Sequence, residues 1–252
     1  MRAPISRRTL LGGAAGGVVL LAGLAAAGPL RDSLFADGET PGPVPDAPVG
    51  DERLERRRST ARGREVDFYT AVPAGHGDGR GLPVCLILHG GSAVAADYPG
   101  FGLARFLSDA VGRGAAPFVL AGADGAPHGW TPSPTDDPQR MAHEELPDWC
   151  SERGFDGVRL AGWGWSRGAA GLLRLGEAFP GFLRAIAAFS PAVSDGDAAF
   201  RDAGALRGTP IGLWCGRQDP LYETVRRLER ALPEPPRAGG YADGRHTRRY
   251  WN

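Results

Sequence analysis

Ser166 stands at the centre of Gly164-Trp165-Ser166-Arg167-Gly168, directly after the apolar run Val158–Trp163 and directly before Arg167–Phe179, which reads as an amphipathic helix. A serine hydroxyl is a weak nucleophile until a base takes its proton, and the base works best when an acid fixes its tautomer. Both partner types follow in the chain. Asp219 closes the turn Gly216-Arg217-Gln218-Asp219 after the apolar segment Pro210–Cys215, and His246 lies in the last loop. In the order serine, aspartate, histidine, these residues suit acyl transfer: His246 takes the hydroxyl proton and later gives it to the leaving group, while Asp219 orients the imidazole. Asp195 and Asp197, one strand earlier, are the alternative acids. The chemistry also needs a cradle for a developing negative oxygen. Leu86-Ile87-Leu88-His89-Gly90-Gly91 ends a predicted strand, and the backbone N–H groups of Gly91 and Arg167 are the candidate donors, with His89 as a prop for the turn. Trp130 and Trp165 are the candidate substrate-contacting aromatics; the competing reading is a half-buried Trp in an ordinary loop for Trp130 and packing in the core for Trp165.

These residues are useful only if strands and helices bring them to one edge. G-x-S-x-G is a weak string in a chain with 39 glycines, so the strand before it and the helix after it carry most of the discrimination. The overlapping Gly162-x-Gly164-x-x-x-Gly168 resembles a dinucleotide-binding turn, but Trp163 and Trp165 stand where a backbone would have to approach a pyrophosphate. Short apolar runs predict strands at Glu65–Val72, Pro83–Leu88, Pro117–Gly122, Val158–Trp163, Ala185–Phe189 and Pro210–Cys215. Helical patterns fall between them at Gly102–Gly112, Met141–Arg153, Arg167–Phe179 and Leu221–Leu232. Alternation of this kind predicts an α/β fold, a mainly parallel doubly wound sheet with helices on both faces.

Composition narrows the partners. The chain has 252 residues, 42% hydrophobic and 23% charged, enough to bury a core, which excludes disorder throughout. Its 29 basic residues, all arginine, balance 29 acidic ones, so the positive field of a general nucleic-acid binder is missing and no nucleic-acid partner is expected. Cys85, Cys150 and Cys215 lack C-x-x-C spacing and read as small buried hydrophobes. Asp136-Asp137 and Glu144-Glu145 read as solvated loop and helix faces rather than as metal ligands.

At the N-terminus, Ser6-Arg7-Arg8-Thr9-Leu10-Leu11 precedes the mildly apolar run Gly12–Leu24 and the small residues Ala25-Ala26-Ala27. That pattern predicts a twin-arginine signal peptide over 1–27, the export machinery as a partner, and a secreted or cell-envelope location. The apolar run falls short of the ~20 residues of a spanning helix, so no stable membrane insertion is expected after cleavage; an uncleaved anchor is the alternative. Pro41, Pro43, Pro45 and Pro48, followed by the charged run Asp51–Arg58, predict a solvated Pro/Arg-rich linker over 28–63, ahead of a folded domain over 64–252.

From about Arg64 onward the chain resembles the secreted α/β-hydrolase esterases, the group that includes esterase D and the mycolyl-transferring cell-envelope enzymes. The resemblance rests on Leu88-His89-Gly90-Gly91, Gly164-Trp165-Ser166-Arg167-Gly168, Gly216-x-x-Asp219-Pro220 and His246-Thr247-x-x-Tyr250-Trp251. It implies an α/β-hydrolase fold, Ser166 as nucleophile, Asp219 as acid, His246 as base, Gly91 and Arg167 as oxyanion donors, and no metal or organic cofactor. It also implies a small-molecule, lipid or glycan ester as substrate, cleaved by water or transferred to an envelope sugar or lipid hydroxyl; a non-catalytic envelope-binding homologue is the reading from another class. Two departures stand out. Ala169 replaces the second glycine usual after the serine, and the sequence ends six residues beyond His246, where the resembled enzymes continue into a helix, which predicts a looser base loop.

The twin-arginine reading makes a direct prediction for export. Replacing Arg7 and Arg8 by Lys keeps the charge and removes the planar guanidinium forks, so precursor should accumulate in the cytoplasm on fractionation; unchanged export would refute the assignment.

Overall fold

A computed structural model of the chain describes residues 42–91, 93–125 and 129–251; the expected signal peptide over 1–27 lies outside them. Among the described residues the chain builds one eight-stranded sheet in the order β1-β2-β4-β3-β5-β6-β7-β8. The strands are β1 Val49–Ser59, β2 Arg64–Pro73, β3 Pro83–Leu88, β4 Val119–Ala123, β5 Asp156–Trp165, β6 Ile186–Phe189, β7 Ile211–Trp214 and β8 Ala238–Gly240. From β4 through β8 the neighbours run parallel, and β1 and β2 extend the sheet antiparallel. The principal helices are α1 Leu103–Gly112, α2 Leu146–Glu152, α3 Arg167–Ala178 and α4 Tyr222–Ala231.

Alternation along the central strands sends side chains to two different cores. Val84, Leu86 and Leu88 of β3 join a core with Leu146, Leu172, Leu173, Leu175, Val225 and Leu228, which is the face covered by α2, α3 and α4. Ile87 of β3 points the other way, to Tyr69, Tyr98, Leu103, Leu107 and Trp165 under α1. Helices on both faces of a mainly parallel sheet fulfil the expected α/β architecture. In α3 the three leucines are fully buried, each worth roughly 1.5–3 kcal/mol of transfer free energy, so the helix behind Ser166 is anchored by its apolar face.

The expected linker over 28–63 needs correction. Its charged stretch is the strand β1, paired residue by residue with β2 from Glu52 opposite Ala71 to Ser59 opposite Arg64. Charge did not prevent a strand because this one is the sheet edge, where charged side chains are tolerated and even protective. Its side chains are also used. Arg153, only 9% exposed, reaches Asp51 at 3.1 Å and Glu55 at 3.3 Å, and the Tyr69 hydroxyl donates to Glu52 at 2.7 Å. In the β1–β2 turn, the fully buried Arg62 side chain pairs with Asp136 and donates to the Asp124 carbonyl. Glu145 accepts from Ser59 Oγ at 2.5 Å and from the Ala61 N–H at 2.8 Å. Asp136 and Glu145, expected on solvated faces, instead tie this hairpin to the loop and helix after β4.

Two further differences follow from local chemistry. The expected helix Met141–Arg153 contains a π-helical turn, Met141–Glu145, ahead of α2, with Pro147 near the start of the regular helix. The edge strand β8 is only three residues, Ala238-Gly239-Gly240, too short and too glycine-rich to give a strand signal. All three cysteines are unpaired; Cys150 and Cys215 are buried as expected, while Cys85 is half-buried.

Near the end of α3, Glu177 has both carboxylate oxygens buried without a hydrogen-bond partner. Burial, reinforced by Asp202 and Asp197 and opposed by Arg174, pushes its carboxyl up to about 7. A folded-state pKa above the unfolded one means that the folded protein holds the proton longer, so stability falls as pH rises from the ordinary carboxyl range through about 7. Glu177→Gln should therefore raise the melting temperature at about pH 8 and leave it nearly unchanged at about pH 4.5; an equal shift at both, read by calorimetry, would contradict the assignment.

Candidate active site

The turn between β5 and α3 is the tightest in the sheet. Ser166 has φ +55° and ψ −122°, a conformation L-residues rarely adopt. It is held there from both sides: the Ser166 N–H donates to the Phe189 carbonyl at 2.9 Å, and the Ser166 carbonyl accepts from Ala192 at 3.0 Å and from Ala170 at 3.1 Å. Glycine is required beside it. A Cβ on Gly168 would lie 1.8 Å from the Leu88 carbonyl oxygen, and one on Gly164 would lie 2.8 Å from the same atom. The absence of those two side chains lets α3 begin against the end of β3, which brings the His89–Gly91 turn beside the serine.

His246 bridges the serine and the acid. Its Nε2 is 2.9 Å from Ser166 Oγ and its Nδ1 is 2.8 Å from Asp219 Oδ2. The acid and the base are shielded, Asp219 at 4% and His246 at 5% exposure. Asp219 sits in the turn after β7, where its other oxygen accepts the Leu221 N–H at 2.8 Å. Asp195 and Asp197 are elsewhere, paired with Arg227 and Arg174. Three strand ends, those of β5, β7 and β8, thus converge on one hydrogen-bond chain, an arrangement able to move a proton off Ser166.

Several residues that hold this chain together carried no role in the sequence reading. Gln218 fastens the acid turn to the base loop: its N–H donates to the Gly244 carbonyl at 3.0 Å and its Oε1 accepts the Gly244 N–H at 2.5 Å. Trp251 stands edge-on to the His246 ring, centroids 4.9 Å apart, and its Nε1 donates to Ser190 Oγ at 3.3 Å. The loop expected to be loose is therefore clamped on both sides of His246. A polar residue inside the Gly-x-x-Asp turn and an aromatic five positions after the histidine were the only signals available.

The His89–Gly91 turn has an unusually determinate geometry. The Gly125 N–H donates to His89 Nε2 at 2.8 Å, so that nitrogen carries the lone pair and Nδ1 carries the proton, which it donates to the Gly90 carbonyl at 2.7 Å. Burial lowers the His89 pKa despite that hydrogen bond, which keeps the ring neutral. Because a trans peptide sets its N–H opposite its C=O, fixing the Gly90 carbonyl fixes where the Gly91 N–H points. Arg167 opens α3, and the first amides of a helix have no intrahelical acceptor. Its side chain lies against Gly91, where a Cβ would come within 2.9 Å of Arg167 Nε.

Of the two candidate aromatics, Trp130 requires correction. It is fully buried, packs against His89 with ring centroids 5.3 Å apart, and its indole N–H donates to the His89 carbonyl at 3.0 Å. A side chain with no exposed surface cannot form a wall that substrate touches; Trp130 instead braces the turn from below. Trp165 is 5% exposed and packs on Tyr98, Phe101, Trp163 and Trp251, so most of its ring lies in the second core.

No family model and no curated protein matches the sequence. Solved structures do match the fold. A ferulic acid esterase superposes with a TM-score of 0.69 at 17% identity, over 81% of this chain and 94% of the other. The S954A mutant of the feruloyl esterase module from Clostridium thermocellum, complexed with sinapinate, gives 0.68 at 13% identity over 86% and 90%. An S-formylglutathione hydrolase from Staphylococcus aureus gives 0.62 at 13% identity over 80% and 94%. The chain therefore has the α/β-hydrolase fold.

The determinate tautomer of His89 generates a test. His89→Leu leaves the Gly125 N–H buried without an acceptor, a cost of about 1–3 kcal/mol, and removes the shorter of two hydrogen bonds on the Gly90 carbonyl, leaving the one from the Ala93 N–H at 3.3 Å. The variant should melt several degrees lower and lose turnover through kcat, by less than the ~10²–10³ expected for complete loss of an oxyanion donor. Unchanged kcat in a folded variant would remove His89 from any positioning role.

Proposed function

We propose that the protein is a serine esterase that cleaves carboxylic esters through an acyl-enzyme. The observation that carries this reading is the continuous chain from Ser166 Oγ through His246 to Asp219, with both links shorter than 3 Å. In the first half-reaction His246 Nε2 accepts the hydroxyl proton as Ser166 Oγ attacks the ester carbon. The negative oxygen that forms is held by the Gly91 and Arg167 N–H groups. Collapse breaks the carbon–alkoxy bond, and His246 returns its proton to the departing alcohol. Water then enters, gives a proton to His246 and attacks the acyl carbon; the bond from that carbon to Ser166 Oγ breaks, His246 passes the proton to Oγ, and the carboxylic acid leaves. Every step uses side chains and backbone amides of this chain.

The fold neighbours support ester or thioester cleavage as the reaction class. Transfer of the acyl group to an envelope sugar or lipid hydroxyl would use the same first half-reaction and differ only in the acceptor. The twin-arginine pattern at Arg7 and Arg8 supports export as the setting, so the substrate would be met outside the cytoplasm.

A fluorophosphonate probe tests the nucleophile directly. Wild-type protein should label, and Ser166→Ala and His246→Ala should each abolish labelling and ester turnover. The double variant should be hardly worse than either single one, because a nucleophile without its base is nearly as idle as none. Asp219→Asn should keep the fold and lower turnover by about 10⁴. Labelling that persists in Ser166→Ala would move the nucleophile elsewhere.

A further inference from the structure

Two serines with positive φ stand at the ends of the neighbouring strands β5 and β6, and only one of them is the candidate nucleophile. Ser190, fully buried in the turn after β6, has φ +45°, a region that disfavours residues with a side chain. Its turn holds Ser166 by both backbone groups. The Phe189 carbonyl, just before Ser190, accepts the Ser166 N–H at 2.9 Å, and the N–H of Ala192, two residues after it, donates to the Ser166 carbonyl at 3.0 Å. The Ser190 N–H in turn donates at 2.7 Å to the carbonyl of Trp214, at the end of β7. One strained residue is thus fixed to the strand that leads to Asp219, and its neighbours fix the nucleophile.

The Ser190 hydroxyl makes contacts that this turn does not require. An indole N–H can only donate, so Ser190 Oγ accepts from Trp251 Nε1 at 3.3 Å and gives its own proton to Cys215 Sγ at 3.8 Å. The Cys215 thiol donates to the Gly216 carbonyl at 3.7 Å, and the same carbonyl accepts the Asp219 N–H at 3.1 Å. Burial, reinforced by the Asp219 charge, pushes this thiol up to about 12, so it keeps the proton that it donates. At the other end of the chain, the Trp251 ring stands 4.9 Å from the His246 ring between centroids. The contacts therefore close on themselves, from Trp251 through Ser190, Cys215 and Gly216 to Asp219, and back through the 2.8 Å bond between Asp219 and His246.

We propose that Ser190 is a positioning residue for all three members of the site: its turn holds Ser166, and its hydroxyl couples Trp251, which supports His246, to the turn that carries Asp219. Ser190 touches none of the reacting atoms and acts through these neighbours. The inference rests on the esterase reading, since it assigns a role within the machinery of that reaction.

Two substitutions remove the hydroxyl–indole contact from opposite ends. Ser190→Gly keeps a residue that tolerates φ +45°, and Trp251→Phe keeps a ring beside His246 while leaving the Ser190 turn untouched. In each variant kcat for 4-nitrophenyl acetate should fall about tenfold, the rate equivalent of one net hydrogen bond, with KM nearly unchanged. The double variant should be hardly slower than either single one, because both changes break the same bond. A purely structural role would lower the melting temperature and leave the kcat of the folded protein alone. Proton NMR reads the same chain without turnover: the far-downfield resonance of the His246 Nδ1 proton, shared with Asp219, should broaden in both variants through faster exchange with water. Unchanged kcat or an unchanged resonance in Trp251→Phe would overturn the proposal whether or not Ser190→Gly folds, and losses that multiply in the double variant would overturn it as well. Wild-type protein that fluorophosphonate does not label would remove the esterase and leave the resonance as the measure of Ser190. Labelling, with no response of kcat or of the resonance to either variant, would keep the esterase and remove Ser190 from its machinery.

Discussion

Ser166 is held in a backbone conformation that costs on the order of 1–3 kcal/mol for a residue with a side chain, and much of the surrounding structure opposes its relaxation. Its N–H and carbonyl are hydrogen-bonded to the Phe189–Ala192 segment after β6, and α3 starts from its carbonyl. The helix cannot swing away, because its leucines are sealed in the larger core and Gly168 rests on the end of β3. Relaxing the turn would therefore mean uncoupling β5 from β6, or α3 from the sheet, either of which exposes far more apolar surface than the strain is worth. The hydroxyl is presented at the sheet edge because all the cheaper alternatives have been closed.

The same logic extends outward through hydrogen bonds that fix orientation. His89 is a buried neutral ring with one nitrogen accepting from Gly125 and the other donating to Gly90, so its tautomer follows from the amide beside it. Trp130 closes the arrangement by donating to the His89 carbonyl, and Gln139 holds the Trp130 carbonyl at 3.0 Å. On the opposite side, Gln218 and Trp251 do for His246 what these residues do for the Gly90–Gly91 peptide. Each of the two groups facing the serine thus has its own set of braces, built from different loops.

What could be read in the sequence follows the range of the interactions. Strands β2 through β7 and helices α1, α3 and α4 were legible because their apolar spacing is set by local burial. The serine, aspartate and histidine were legible because strand ends and chain order constrain them together. β1 was not, since its stability comes from pairing with β2 and from Arg153, Glu145 and Glu152 far along the chain, none of which leaves a mark in the run Asp51–Arg58 itself. Trp130 misled for a related reason. An aromatic in a loop after a strand reads as a cleft wall, and only the position of the His89 carbonyl reveals that its indole points inward.

Arginine is the only strong cation in this chain, and the structure uses it in two ways that lysine would serve poorly. Arg62 and Arg153 are almost fully buried and each satisfies several acceptors at once, tying the edge hairpin to the rest of the sheet through a planar fork. Arg167 and Arg248 instead lie along glycine backbone and an aromatic ring, Arg167 against Gly91 and Gly129 and Arg248 with its guanidinium 4.0 Å over Phe101. In the first pair the charge is spent on internal carboxylates and carbonyls. In the second the side chain is placed by packing on the backbone and on an aromatic ring. Arg167 is thus placed by Gly91 and Gly129, whose missing side chains leave room for its stem beside the turn that faces the serine.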